Sequence, residues 1–546
     1  MGMLYPMRLS ALVAVVLALV LSPRDAPRAQ GRTGSTSDIK LVLLIAVDQF
    51  RYDYLTRFRG EYTGGLSQLL TRGATFTQAH LDHYPTVTAV GHSTMLSGAT
   101  PAVSGIIGND WYDRTAGATV TSVSDPDTQL VGGIGQGSSP RRLLVSTLGD
   151  EMKNAVAHLR AEATPKVFGL SLKDRSAILA VGHRADGAYW LDTKTGAFVT
   201  STYYRAEPHA WAAQFNQSAP ADTFAGRQWQ FLDAASGTGR TMPDKPGAQL
   251  YGAVYGSPFG NELLKNLAVA ALEGERLGQR GATDLLSVSF SSNDAVGHTY
   301  GPDSPEVRDM AVRTDRVVGE LLARVDALVG LDHTLVVFTT DHGVAPLPEV
   351  QQQRKLPGGR MKSEDLFGPI AAALTAKYGE GKWILATAGT SPYLNHPLIS
   401  QKGLDPSEVR RVAAAAASAV PHVARVYTRE QLLSGEVSAD LIGRRIARSY
   451  NLQRSGDLEI VLDAYWLRGS AGTTHGTPYS YDAHIPLVLM GPGIKPGAYS
   501  MTSALNDLAP TVATLLGVEN PSGSSGRVLV EALAPVGAPA RPRGTQ

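Results

Sequence analysis

Five short apolar runs constrain this chain more than any other feature, because four of them end on residues able to hold a cation or an anion. The runs cover 41–47, 166–172, 285–290, 334–339 and 486–490. They are of strand length and show no alternation of apolar and polar residues, the pattern of strands buried on both faces of a parallel sheet. Helical patterns lie between them, at 304–329 and 507–516 among others. Strands alternating with helices predict an α/β fold, a doubly wound, mostly parallel central sheet flanked by helices. Such sheets bind ligands beyond the carboxyl ends of their strands. Asp48 follows the first run, Lys173 and Arg175 the second, Asp294 the third, and Asp341 with His342 the fourth. Segments far apart in sequence are thus expected to deliver acids, imidazoles and bases to one rim.

The rest of the chain is organised around that core. Arg8, the apolar run 11–21 and Ser22-Pro23-Arg24 read as a secretory signal over 1–29, cut near Ala26 or Ala29. The alternative is an uncleaved anchor, although the run is shorter than the ~20 residues of a bilayer span. No other stretch is apolar enough to cross a membrane. Residues 30–38 read as a linker, 39–533 as the catalytic domain and 534–546 as a flexible tail. Two stretches, about 180–280 and 345–470, fit the alternation poorly and are expected to be insertions that form a cap over the rim. The second carries helical patterns such as 406–419 and little strand signal. An exported protein, periplasmic or secreted from a bacterium, is the expectation. With 50 Lys plus Arg against 49 Asp plus Glu there is no nucleic-acid footprint. The absence of cysteine excludes disulfides, thiolate zinc sites and a cysteine nucleophile, so any metal must be held by His, Asp and Glu.

Taken singly, each polar motif has an ordinary alternative. Asp294 and His298 stand four apart, a spacing that puts both on one face of a helical turn, as metal ligands require, but also suits a solvated pair. Asp341-His342-Gly343 could reach one metal from two sides or form a plain strand-to-loop turn. His475 lies among small residues, in either a ligand-approaching or a flexible loop; His484 reads as structural or as support to the ligands. Thr88 opens a helical pattern running to about Ser97, where the macrodipole favours an alkoxide or a bound phosphate. It could equally be an N-cap, and Thr86 is a rival. Together, Asp48, Asp294, His298, Asp341, His342 and His475 suffice for two metal sites, which beside a hydroxyl, an Asn and a Lys/Arg pair make a phosphate-transfer constellation.

With these motifs in this order, from about Leu41 to Val518, the sequence resembles the alkaline phosphatase superfamily, and within it the PafA-like phosphate monoesterases with a threonine nucleophile. In related phosphodiesterases a substrate-binding Asn follows the nucleophile by 21 positions; Asn109 does so from Thr88, which selects Thr88 over Thr86. The resemblance implies two Zn²⁺, one held by Asp294, His298 and His475, the other by Asp48, Asp341, His342 and the Thr88 oxygen. Lys173 and Arg175 resemble the Lys-x-Arg element of the monoesterases; a monoester carries about two negative charges at the transferred group, so the added cations favour its transition state. No acidic set for a third, magnesium site is visible, and Lys173 would take that place. The implied activity is hydrolysis of small-molecule phosphate monoesters through a phosphothreonine, with configuration at phosphorus retained. The rival readings are a phosphodiesterase or nucleotide pyrophosphatase of the same superfamily and, more remotely, a non-catalytic metal- or phosphate-binding protein. A sulfatase lacks support because its C/S-x-P-x-R motif is absent. The leaving alcohol would be read by the cap, where Tyr203, Tyr204 and Trp211 either line a pocket or simply pack.

Overall fold

A computed structural model describes residues 39–156, 164–233, 235 and 237–534. The signal, the linker and the tail beyond residue 534 lie outside the described residues. One sheet of eleven strands organises the molecule. In chain order its strands are β1 (Leu41–Val47), β2 (Ala74–Phe76), β3 (Ser124–Val131), β4 (Gln136–Ser138), β5 (Val167–Ser171), β6 (Gly187–Leu191), β7 (Phe198–Ser201), β8 (Asp284–Phe290), β9 (Thr334–Thr339), β10 (Leu487–Met490) and β11 (Gly497–Tyr499). They lie side by side as β11-β2-β10-β9-β1-β8-β5-β6-β7-β3-β4. The middle five, β9 to β6, are parallel to one another.

The absence of alternation in β1 has a plain cause. Leu41, Leu43, Ile45 and Val47 enter one hydrophobic cluster and Val42, Leu44 and Ala46 another, so both faces are dry. Helices α3 (Pro258–Glu275) and α5 (Pro305–Leu328) pack on the first face through Leu263, Leu267, Val318 and Leu322. On the second face lie α1 (Thr88–Ser97), through Met95 and Leu96, and α6 (Leu508–Leu516), through Leu508 and Val512. The remaining helices near the rim are α2 (Asp174–Leu179) and α4 (Ser292–Tyr300). The doubly wound arrangement expected from the sequence is therefore present.

Three expectations are corrected. The run 486–490 forms β10, which is antiparallel to both of its neighbours rather than parallel. Burial on both faces removes alternation in either direction, so an apolar run carries no sign of its polarity. The stretch 180–280 is not wholly an insertion: β6 and β7 extend the main sheet, and α3 belongs to its core. Trp211 packs there with its Nε1–H on Glu275 at 2.9 Å, Tyr204 is half-buried against a neighbouring apolar cluster, and the Tyr203 hydroxyl donates to the His183 carbonyl at 3.0 Å. The stretch 345–470 does contain strands, paired two by two: Ile384–Ala388 with Ser391–Leu394, Val423–Thr428 with Leu458–Leu462, and Gly359–Met361 with Trp466–Arg468. These are short and several are half-exposed, so they lack the continuous apolar signal of the central strands. They surround a separate hydrophobic core that includes Leu366, Ile370, Trp383, Val409 and Ile460. Among the described residues no helix is long and apolar enough to cross a membrane.

Candidate active site

The carboxyl ends of β1, β5, β8 and β9 converge on one buried cluster. Asp48 leaves β1, Lys173 stands two residues past β5, Asp294 sits in the first turn of α4, and Asp341-His342 follows β9. Asp48, Asp341 and His342 are wholly buried and Asp294 and Lys173 nearly so. The Lys173 ammonium donates to the Asp48 Oδ2 and the Asp294 Oδ2, each at 2.6 Å, and so ties two groups of acids together. Within reach of a single ion lie Asp294, His298 and His475 on one side, and Asp48, Asp341 and His342 on the other; in each set the ligand atoms fall within 4.8 Å of one another.

The histidines are oriented for metal binding. Nδ1 of His298 donates to the Thr473 carbonyl (2.7 Å), that of His475 to the Thr86 carbonyl (2.8 Å) and that of His342 to the Gly343 carbonyl (3.0 Å). A carbonyl can only accept, which assigns the proton to Nδ1 in each neutral ring. Each Nε2 then presents a lone pair to a carboxylate: His298 to Asp294 at 3.1 Å, His475 to Asp294 at 3.6 Å, and His342 to Asp341 at 3.4 Å and Asp48 at 3.5 Å. Acceptor facing acceptor is unfavourable unless a cation lies between them. Among the described residues the Asp48 Oδ1 and the Asp341 Oδ2 are buried and make no hydrogen bond. Three carboxylates thus face one ammonium, with donor atoms of the kind that divalent metals take, two of them without a hydrogen bond among the described residues.

The electrostatics follow from this crowding. Burial, then the charges of Asp294 and Asp341, push Asp48 well above the usual carboxylate range. Burial also works against Asp294, but the Lys173 ammonium outweighs it and holds that acid well below the range. Burial, reinforced by the neighbouring imidazoles, drives His475 well below its ordinary value and keeps it neutral.

Thr88 is the first residue of α1, and its Oγ1 lies 3.3 Å from the His342 Nε2 and 3.5 Å from the Lys173 Nζ. The Thr86 hydroxyl is committed elsewhere, donating to the Thr477 carbonyl at 2.8 Å. The Asn109 Oδ1 accepts the Ala89 amide in the first turn of α1 at 2.9 Å, and among the described residues its amide nitrogen is left unengaged. Arg175 opens α2 beside Lys173, close enough for its charge to act on that ammonium. Its Nε is buried without a hydrogen bond and its Nη1 lies 3.9 Å from Asp174. His484 stands apart, stacked on Tyr52 and His80, with centroids 4.1 and 4.6 Å away, and bonded to the Thr77 carbonyl.

Sequence reading missed three supporting residues. Gln49 donates its side-chain amide to Asp294 at 2.7 Å and its backbone amide to Asp341 at 3.2 Å, so one residue braces both sets of acids. His92, one helical turn after Thr88, donates to the Thr88 carbonyl at 2.9 Å, lies 3.3 Å from the Asp341 Oδ2, and accepts from the Ser289 hydroxyl at 2.7 Å. The i, i+4 spacing from Thr88 was the available signal for it. Tyr255 lies within the fields of Lys173, Asp294, Asp48 and Arg175, and no motif marks it.

The sequence model of the type I phosphodiesterase / nucleotide pyrophosphatase family matches residues 42–480, and the span contains every residue of the cluster. The chain belongs to that family. It lies within the alkaline phosphatase superfamily. It is 36% identical over 535 residues to the alkaline phosphatase PafA of Elizabethkingia meningoseptica, covering 92% of this chain and 96% of that protein. It is 34% identical to the alkaline phosphatase PhoV of Synechococcus elongatus, over 90% of this chain and 93% of the relative. The crystal structure of PafA superposes with a TM-score of 0.85 at 34% identity, covering 91% of this chain and 99% of that one.

In this family member the approach of α1 to β9 depends on Gly91. A Cβ there would meet the Asp341 carbonyl oxygen first and stand 2.5 Å from the Asp341 Cβ. Gly91→Ala is therefore expected to cost about 1–3 kcal/mol of stability through overpacking. By displacing Asp341 it should also lower activity by about tenfold or more, since misplacement by ~1 Å costs on the order of a hundredfold. Denaturant unfolding and turnover measured side by side check this; an unperturbed Tm and turnover would contradict the close approach.

Proposed function

We propose that the chain is an exported, zinc-dependent phosphate monoesterase that works through a phosphothreonine at Thr88. Its relatives named alkaline phosphatases support phosphoric monoester hydrolysis. The observation that carries the reading is the Thr88 hydroxyl at a buried helix N-terminus, 3.5 Å from Lys173 and flanked by two acid–imidazole sets. Asp294, His298 and His475 would hold one zinc, and Asp48, Asp341 and His342, with the Thr88 oxygen, the other; the all-His/Asp donor set suits that metal. Zinc supplies Lewis acidity, lowering the pKa of a coordinated hydroxyl and offsetting charge on the leaving oxygen. The bacterial relatives and the N-terminal sequence pattern support export.

The chain's own groups supply position and charge. The Thr88 Oγ1 forms a bond to phosphorus as the ester P–O bond breaks, and the alcohol departs with that electron pair. Water then replaces the Thr88 oxygen and releases phosphate. Two in-line displacements return the original configuration at phosphorus. The α1 N-terminus, the free Asn109 amide and the uncommitted Arg175 Nε would hold non-bridging oxygens. Lys173 is pre-organised by Asp48 and Asp294, so its ammonium meets the phosphoryl group without reorganising. Lys173→Ala and Arg175→Ala are each expected to lower kcat/KM for an aryl monophosphate by about 10²–10³, and for a bis-aryl phosphate by about tenfold or less. Equal losses on both substrates would favour the phosphodiesterase reading instead. A simple aryl monophosphate, a bis-aryl phosphate and an aryl sulfate, run against the purified enzyme with metal analysis, test the function as a whole.

A further inference from the structure

One cavity, of about 290 Å³, joins the rim to the cap. Its lining brings Val87, Asn109 and His475 of the rim together with Tyr393, Glu459 and Trp466 of the cap. On the reading above, Asn109 holds the phosphoryl group and His475 belongs to the metal set beside the leaving oxygen. A leaving alcohol therefore extends into this space.

The chemistry of the wall centres on Glu459. Its Oε2 accepts from the Ser391 hydroxyl at 2.5 Å. Three phenols lie within its field, and each spends its proton elsewhere. Tyr84 donates to the Ile460 carbonyl (3.1 Å), Tyr393 to the Arg454 carbonyl (2.8 Å) and Tyr450 to the Gly456 carbonyl (3.0 Å). Arg468 shares the cavity but donates to the Gly389 carbonyl and to the Ser363 hydroxyl, with its guanidinium over the Phe367 ring. Asp110, the other acid of the lining, is exposed to solvent. A carboxylate offers about four acceptor positions. Among the described residues Glu459 receives one hydrogen bond and pairs with no Lys or Arg, and its remaining capacity is open to the cavity it lines. A donor brought by the ligand would satisfy it, and a protonated amine would also find the aromatic faces of Tyr84 and Trp466. A carboxylate or a second phosphate on the ligand would meet like charge.

We propose that this cavity is the leaving-group site and that Glu459 selects monoesters of alcohols bearing an amino or hydroxyl group over monoesters bearing a further anionic group. The proposal rests on the monoesterase reading. Its test compares kcat/KM of the purified holoenzyme at pH 8.5 for O-phosphoethanolamine, glycerol 1-phosphate, 3-phosphoglycerate and phenyl phosphate. The first two should exceed 3-phosphoglycerate by about tenfold or more, the scale of a hydrogen bond to a charged group against a charge repulsion. Glu459→Gln preserves the shape and the acceptor for Ser391. It should narrow that ratio by about fivefold or more through KM, and leave phenyl phosphate within about threefold.

Selectivity of the unaltered enzyme, referred to phenyl phosphate, should also rise with pH through neutrality. Burial pushes Glu459 up to about 7, while burial keeps the phenols of Tyr84, Tyr393 and Tyr450 protonated across that range. The other charged groups of the lining, Asp110 and Arg468, are present in both forms of the comparison. An unchanged ratio in Glu459→Gln, with phenyl phosphate turned over normally, overturns this proposal alone. Failure of the unaltered enzyme to hydrolyse phenyl phosphate overturns the monoesterase reading and this proposal with it.

Discussion

Thr88→Ala should lower the turnover of an aryl monophosphate by about three orders of magnitude or more, while the protein keeps its fold and its metal. The expectation follows from where the side chain sits. Thr88 is buried at the first position of α1, and its hydroxyl faces His342 and Lys173 rather than a backbone partner that the helix needs. Alanine keeps the helical propensity and leaves both sets of acids untouched. What disappears is the oxygen proposed to attack phosphorus, and its rival Thr86 is no reserve, since its hydroxyl is committed to the Thr477 carbonyl. Acid-quenching of the unaltered enzyme during turnover of a radiolabelled monoester should trap label on Thr88, and the variant should trap none. Retention of more than about a tenth of the activity by the variant would refute the covalent role.

Asp294→Asn should be the most damaging single change to the cluster that leaves the nucleophile in place. One carboxylate serves Lys173 at 2.6 Å, Gln49 at 2.7 Å, His298 at 3.1 Å and His475 at 3.6 Å. An amide has one acceptor oxygen, and its NH₂ would be turned either toward the Lys173 ammonium or toward the Gln49 amide. One metal equivalent per chain should be lost, and activity should fall by about 10²–10³. The metal-free variant should be destabilised by about 3–5 kcal/mol, the cost of breaking a buried ion pair. Elemental analysis and denaturant unfolding separate the two effects; full metal content with normal turnover would remove Asp294 from the site.

The acids and the lysine of the rim were legible in the sequence because Asp48, Lys173, Asp294 and Asp341-His342 each stand within a few residues of a strand end, and a doubly buried strand announces itself as an uninterrupted apolar run. The boundaries of β1 and β9 coincide with the predicted runs for that reason. Residue pairing across the rim was not legible. Nothing in the sequence says that Gln49 bonds to Asp294, 245 positions away, or that Tyr255 shares a field with Lys173. The direction of β10 was lost because burial on both faces erases alternation whichever way a strand runs. The cap was read too broadly at 180–280, where turn-rich sequence conceals two strands of the main sheet, and too poorly at 345–470, where half-exposed two-stranded ribbons give weak patterns.

The separate hydrophobic core of the 345–470 region has an evolutionary consequence. On the proposed reading, reaction and recognition draw on different folding neighbourhoods: the rim stands at strand ends anchored in the large sheet, whereas Glu459 lies on a strand whose Leu458, Ile460 and Leu462 enter the separate core. Substitutions confined to that core would then retune which alcohol is accepted with little strain passed to the strand ends of the large sheet, so a lineage of such enzymes could change diet while keeping its chemistry fixed.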